Sequence, residues 1–98
     1  MIIYLYKSDK PDRKYMVLID EKKIHFGQKG YTDYILSGGD DERKKLYWKR
    51  HQSRENWTKS GINTAGFWSR WLLWNKDSLD KSIKNVENKL NIKIIKKS

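Results

Sequence analysis

Residues 24–51 read IHFGQKGYTDYILSGGDDERKKLYWKRH, and the change of pattern inside this stretch decides the fold. Ile24, His25 and Phe26 form a short apolar and aromatic run suited to a strand. Gly27 to Gly39 mixes glycines with polar residues and reads as an extended loop. Asp40 and Asp41 then offer a helix cap, with acids in the opening turn and Arg and Lys behind them, the order that complements a helix dipole. The chain is therefore strand-like before residue 40 and helical after it.

Working towards the N-terminus, Ile2 to Tyr6 and Tyr15 to Ile19 are apolar, β-branched or aromatic, and read as two further strands. KSDKPDRK between them carries the only proline, Pro11, and reads as a loop. Asp20-Glu21-Lys22-Lys23 is a turn, so the second and third strands form a tight hairpin with the first alongside. Both faces of the first two strands are apolar, which asks for helices over one of them.

Working towards the C-terminus, Thr64 caps a second helix after the breaker Gly61, and Asp77 or Ser78 caps a third. At 100° per residue Phe67, Trp68, Trp71, Leu72 and Trp74 share an arc of about 160°, leaving Ser69, Arg70 and Leu73 outside it. An aromatic stripe at this spacing is first of all core, and Trp71 is expected to be buried. In the third helix Leu79, Ile83, Val86 and Leu90 are spaced 4, 3 and 4, a narrow core-facing seam. Ile92 to Ile95 reads as a last strand before a basic end. The expected fold is α+β: a small antiparallel sheet of three to four strands with three helices packed on it, in one domain spanning 1–98.

Composition restricts the function. The 98 residues hold 22 Lys and Arg against 12 Asp and Glu, a net charge of +10, and 13% are aromatic. Mean hydropathy is −0.97, low enough to approach disordered sequences, but each aromatic buries enough area to support a core. Cysteine is absent, so disulfides and thiolate metal sites are excluded. No apolar run nears the roughly 20 residues that span a bilayer. The opening MIIYLYKSDK lacks a cleavage-site pattern, so no signal peptide and a soluble intracellular protein are expected.

The charge is concentrated. Between Arg43 and Lys59 the cations Arg43, Lys44, Lys45, Lys49, Arg50, Arg54 and Lys59 face one acid, Glu55, giving +6 of the +10. Arg43, Tyr47, Arg50 and Arg54, spaced 4, 3 and 4, fall within about 60° of one helix face and suit a row of phosphates. The same pattern also describes a solvated helix face. Trp57, in RENWTKSG, suits either stacking on a base or covering the core edge. Leu46 and Trp48 point about 160° apart, which leaves open which side of this helix is buried.

Other constellations are weaker. Gly27-Gln28-Lys29-Gly30 resembles the GxxG loop of KH modules, but it follows a strand, where a turn needing glycine dihedrals is the simpler account. His25 and His51 make no metal-ligand spacing, so neither metal nor cofactor is expected. IIYLY followed by KIHFGQKG resembles the opening strands of GIY-YIG nucleases, but the gap is too long and the motif glycines are missing.

HFGQKGYTDY, DDERKKLYWKRH, ENWTKSG, TAGFWSRWLLWNK and SLDKSIKNVENKLNI, in that order, closely resemble a family of small basic proteins encoded by large DNA viruses of eukaryotes. The resemblance covers roughly residues 14 to 95, with TAGFWSRWLLW its most specific block. It implies a viral source and a virion or host-cytoplasm setting, and it assigns no catalytic residue.

The expected function is therefore sequence-nonspecific nucleic-acid binding, with double-stranded DNA as the partner, for genome organisation or packaging. Arg43, Lys44, Tyr47, Lys49, Arg50, Arg54, Trp57 and Lys59 are the expected contacts, with Lys93, Lys96 and Lys97 assisting. Self-association is compatible with that role. No enzyme activity is expected. The alternative is a structural or adaptor protein of a virion that binds an acidic protein partner. A degenerate nuclease-like domain comes third.

Overall fold

The apolar, β-branched and aromatic runs of the N-terminal half form the expected strands. The computed structural model describes residues 1–97. Strands β1 (Ile2–Lys7), β2 (Arg13–Ile19) and β3 (Lys22–Gln28) are consecutive and antiparallel, with Tyr4 opposite Leu18 and Val17 opposite Ile24. Asp20, with φ 54°, sits in the two-residue connection between β2 and β3. Strand β4 (Lys93–Lys96) pairs with β1 in parallel, giving the order β3-β2-β1-β4. The expected small antiparallel sheet of three to four strands is thus present as a four-stranded, mostly antiparallel sheet, mixed only through the parallel β1–β4 pair.

Helices α1 (Asp41–His51), α2 (Ala65–Trp68) and α3 (Leu79–Leu90) start where the caps stand. The Asp40 carboxylate accepts from the amides of Glu42 and Arg43, the Thr64 hydroxyl from Phe67, and the Ser78 hydroxyl from Lys81. Each cap satisfies amide donors that the first helical turn leaves unpaired. α3 ends at Asn91 in the left-handed conformation, and the Glu87 carboxylate accepts the Ile94 amide at 2.9 Å, fixing the entry into β4.

α2 runs straight into a π-helical turn, Ser69–Leu73, closed by the Trp74 amide donating to the Ser69 carbonyl at 3.0 Å. A π turn shifts residues around the axis relative to α-helical spacing. Leu73, placed outside the apolar arc by a regular wheel, is buried as a result. Trp71 is buried as expected, and so are Phe67, Trp68 and Leu72. The Trp68 indole N–H, in the fully buried interior, donates to the Ile62 carbonyl at 2.7 Å, so its one polar atom is satisfied.

One core joins sheet and helices: Ile3, Leu5, Val17, Ile19, Ile24, Phe26 and Ile94 from the strands meet Phe67, Trp68, Leu72, Ile83 and Val86. Each large aromatic contributes roughly 4–6 kcal/mol of gross burial energy before entropy. The seam of α3 packs as its spacing required, with Ile83 and Val86 buried and Leu79 and Leu90 partly so. No helix of the described residues is long and apolar enough to cross a membrane.

Candidate nucleic-acid interface

α1 is held to the body of the protein by side chains. Its inward face is Lys44, Tyr47, Trp48 and His51. Trp48 Nε1 donates to the Trp74 carbonyl at 3.0 Å, and Lys44 Nζ to the Asn75 carbonyl at 2.7 Å. The Tyr47 ring stacks on Trp74 at 4.5 Å and on His51 at 4.2 Å. This settles the orientation left open by the sequence: Trp48 faces in, and Leu46 is 57% exposed.

Two expected contacts are therefore turned away from solvent. Tyr47 is only 7% exposed and underlies the stripe instead of standing on it. Burial, and then the nearby Glu55 charge, push its phenol above the ordinary tyrosine range. Lys44 lies between the Tyr34 ring at 4.6 Å and the Trp48 ring at 4.9 Å. Its pKa is lowered by burial and then by the charge of Lys76. Both residues brace the helix, because that is the face the aromatic segment needs to cover.

Arg54 is displaced as well. α1 ends at His51, with a turn following, so Arg54 continues the stripe only loosely. The turn lets Glu55 reach back to His51 Nδ1 at 3.1 Å and accept from Trp57 Nε1 at 2.8 Å. Trp57 is half-buried, and its carbonyl accepts the Trp71 indole N–H at 2.8 Å. Of its two sequence readings, the core-edge cover is the one this geometry favours.

The residue missed by sequence reasoning is Arg70. Its guanidinium lies 3.9 Å from the Trp71 ring centre, 4.5 Å from Trp48 and 5.5 Å from Trp57. Its Nη1 is buried without a hydrogen-bond partner among the described residues. Burial pulls its pKa down to about 10, which leaves it cationic at neutral pH. A planar cation over ring faces is favourable. The only trace in the sequence was an arginine set beside Trp68 and Trp71.

The cations that remain outside form the surface. Arg43, Lys45, Lys49, Arg50, Arg54 and Lys59 are exposed. Of these only Arg43 joins an ion pair, with Asp40 at 3.3 Å; the others join none among the described residues. Exposed pairs of that kind contribute little, so Arg43 remains available. Arg43, Leu46, Tyr47 and Arg50 also line one wall of a cleft of about 570 Å³, with Arg13, His25 and Gln28 of the hairpin opposite.

Lys93, Lys96 and Lys97 are not brought to α1. They lie on or just after β4, at the opposite sheet edge from β3, about 14 Å away across three strand spacings. Lys96 pairs with Asp80 at 2.9 Å. Gly27 and Gln28 end β3 and Lys29 and Gly30 form the turn after it, where the Lys29 amide is taken up by the Asp12 carbonyl at 3.0 Å. Gly27 has φ +76°, and a Cβ there would meet Leu73 Cδ1 at 2.7 Å. Among the described residues no three His, Asp or Glu side chains converge as a metal site.

Residues 3–51, which span β1, β2, β3 and α1, match a family of unknown function (DUF5754). The match stops before TAGFWSRWLLW, the block on which the resemblance to viral proteins rested most. No curated protein and no solved structure matches the chain. With 49 of its 98 residues in the match, the chain belongs to this family of unknown function.

Proposed function

We propose that the protein binds nucleic acid without sequence preference, taking the phosphates of double-stranded DNA on the outer surface of α1 and the turn after it. One observation carries this reading: Lys45, Lys49, Arg50, Arg54 and Lys59 are exposed on one continuous segment, and among the described residues no acid pairs with them. The acids of α1 are gathered at its N-terminal turn, and Glu55 is tied to His51 and Trp57. An uncompensated cationic segment costs self-repulsion in the free protein and gains it back against a polyanion. The proposal places the protein in the organisation or packaging of a genome, without catalysis. The resemblance to small basic proteins of large DNA viruses supports a virion or host-cytoplasm setting.

The test is the salt dependence of binding to duplexes of unrelated sequence. Five phosphate contacts give a slope of about −4.5 in log K against log salt, the same for every sequence. A slope near zero, or binding confined to one sequence, overturns the reading. Leu46 favours a second reading, since a 57% exposed leucine amid cations contributes nothing to phosphate binding. An acidic protein with an apolar anchor would use it. In that case Leu46→Ser weakens capture of the partner and leaves DNA affinity unchanged.

A further inference from the structure

The helices cover one face of the sheet and leave the other open. Along β1, Ile3 and Leu5 enter the core, while Tyr4 and Tyr6 stand outside it. Register extends that division across all four strands. Tyr4 lies between Ile95 of β4 and Leu18 of β2, and Leu18 lies opposite Lys23 of β3. Tyr6 lies opposite Met16, and Met16 opposite His25. None of these side chains belongs to the cluster that the helices share, although Met16 is buried beneath its neighbours on this face.

The edges of this face are cationic. Lys23 stands on β3, Lys93 lies opposite Ile2, and Lys97 places its Nζ 5.3 Å from the centre of the Tyr4 ring. Lys23, Lys93 and Lys97 form no ion pair among the described residues. Tyr4 and Tyr6, two residues apart on one strand, are separated by about 6.6 Å and are each half-buried.

We propose that this open face binds single-stranded nucleic acid by stacking unpaired bases on Tyr4 and Tyr6, with Lys23, Lys93 and Lys97 holding the phosphates. Neighbouring rings on a β-sheet accept base faces without reading their identity, and cations at the edges follow the backbone. A duplex cannot use the surface in this way, because its bases are already stacked and paired. A second copy docked face to face would bring uncompensated lysines together, whereas a polyanion neutralises them. The proposal is independent of α1, which lies on the helical side and offers cations without an open ring.

Affinity is measured for a 15-nucleotide oligothymidine and for a random 15-base-pair duplex. Four proteins are compared: parent, Tyr4→Leu with Tyr6→Leu, Tyr4→Phe with Tyr6→Phe, and Arg50→Glu with Arg54→Glu. Leucine keeps the face apolar and removes the rings; it should weaken the single strand about tenfold per ring and leave the duplex unchanged. Phenylalanine should keep parental affinity for both. The α1 reversal should weaken the duplex far more than the single strand. Ultraviolet crosslinking of a 5-iodouracil strand to the parent, mapped by mass spectrometry, should mark Tyr4 or Tyr6, and stands even if a variant misfolds. The proposal is overturned by unchanged single-strand affinity in the leucine protein, by crosslinks confined to α1, or by a parental dimer that the leucine protein dissociates. Loss of duplex binding alone would sink the reading of α1 and leave this one standing.

Discussion

The guanidinium of Arg70 lies 4.5 Å from the centre of the Trp48 ring, so a cation from the π turn is roofed by a side chain of α1. This contact joins the Trp48–Trp74 hydrogen bond, the Lys44–Asn75 hydrogen bond and the Tyr47–Trp74 stack in attaching the basic helix. Arg70→Ala should therefore loosen α1 and destabilise the fold by about 2–3 kcal/mol in urea denaturation. Arg70→Met should cost less, because it keeps the packing and removes the unpaired buried Nη1. Alanine and methionine proteins of equal stability would show that the packing of this side chain contributes nothing, and a methionine protein as stable as the parent would show the same of the guanidinium stacking.

The α3 seam gives a second expectation. Ile83 is buried against the same core as Leu72 and Val86. Ile83→Ala should cost about 2–5 kcal/mol, through lost burial and a cavity that the surrounding aromatics cannot fill. A change under about 0.5 kcal/mol in denaturant midpoint analysis would mean that α3 does not pack on the sheet in solution.

The caps Asp40, Thr64 and Ser78 and the α3 seam were legible because they depend on neighbours within a turn. The parallel pairing of β4 with β1 was not, since it joins residues about 90 positions apart and leaves no local mark. The π turn was equally hidden: an i→i+5 bond arises from packing, and it carried Leu73 inward against the regular wheel. The candidate site was legible as charge and not as orientation. Lys49 and Arg50 are exposed as expected, but Tyr47 and Lys44 turned inward because the aromatic segment, distant in sequence, needed a cover.

Tyr47 makes an alkaline limit to stability. Its folded pKa is raised above 10.0 by burial first and the Glu55 charge second. Between about pH 10 and that higher value the unfolded chain has lost the proton and the folded chain keeps it. Stability must then fall as pH rises from about 10, while nothing is lost below it. Tyr34, raised by its hydrogen bond to Asp41, acts in the same sense, and Lys44, lowered by burial, acts against both. The difference between parent and Tyr47→Phe isolates the tyrosine. Urea midpoints compared from pH 8 to 11 should converge above pH 10, the parent losing more. Parallel curves would show that Tyr47 titrates normally.

The salt slope should also report which cations touch phosphate. Arg50 and Arg54 are exposed and join no ion pair among the described residues, so reversing both should leave the fold intact. Each phosphate contact removed takes about 0.9 from the slope of log K against log salt. Arg50→Glu with Arg54→Glu should therefore flatten the slope by roughly 2 and weaken all duplexes alike. Lys81 and Lys84 on α3 make the matched control, and Lys81 is already paired with Asp77 at 3.1 Å. Reversing those two changes net charge by the same amount, so a purely global effect of charge would weaken both proteins equally. A contact at α1 predicts that only the first loses slope. Should both bind like the parent in fluorescence anisotropy titrations from 50 to about 300 mM salt, the stripe is a solvated face, and Leu46 and its acidic partner become the better account of this helix.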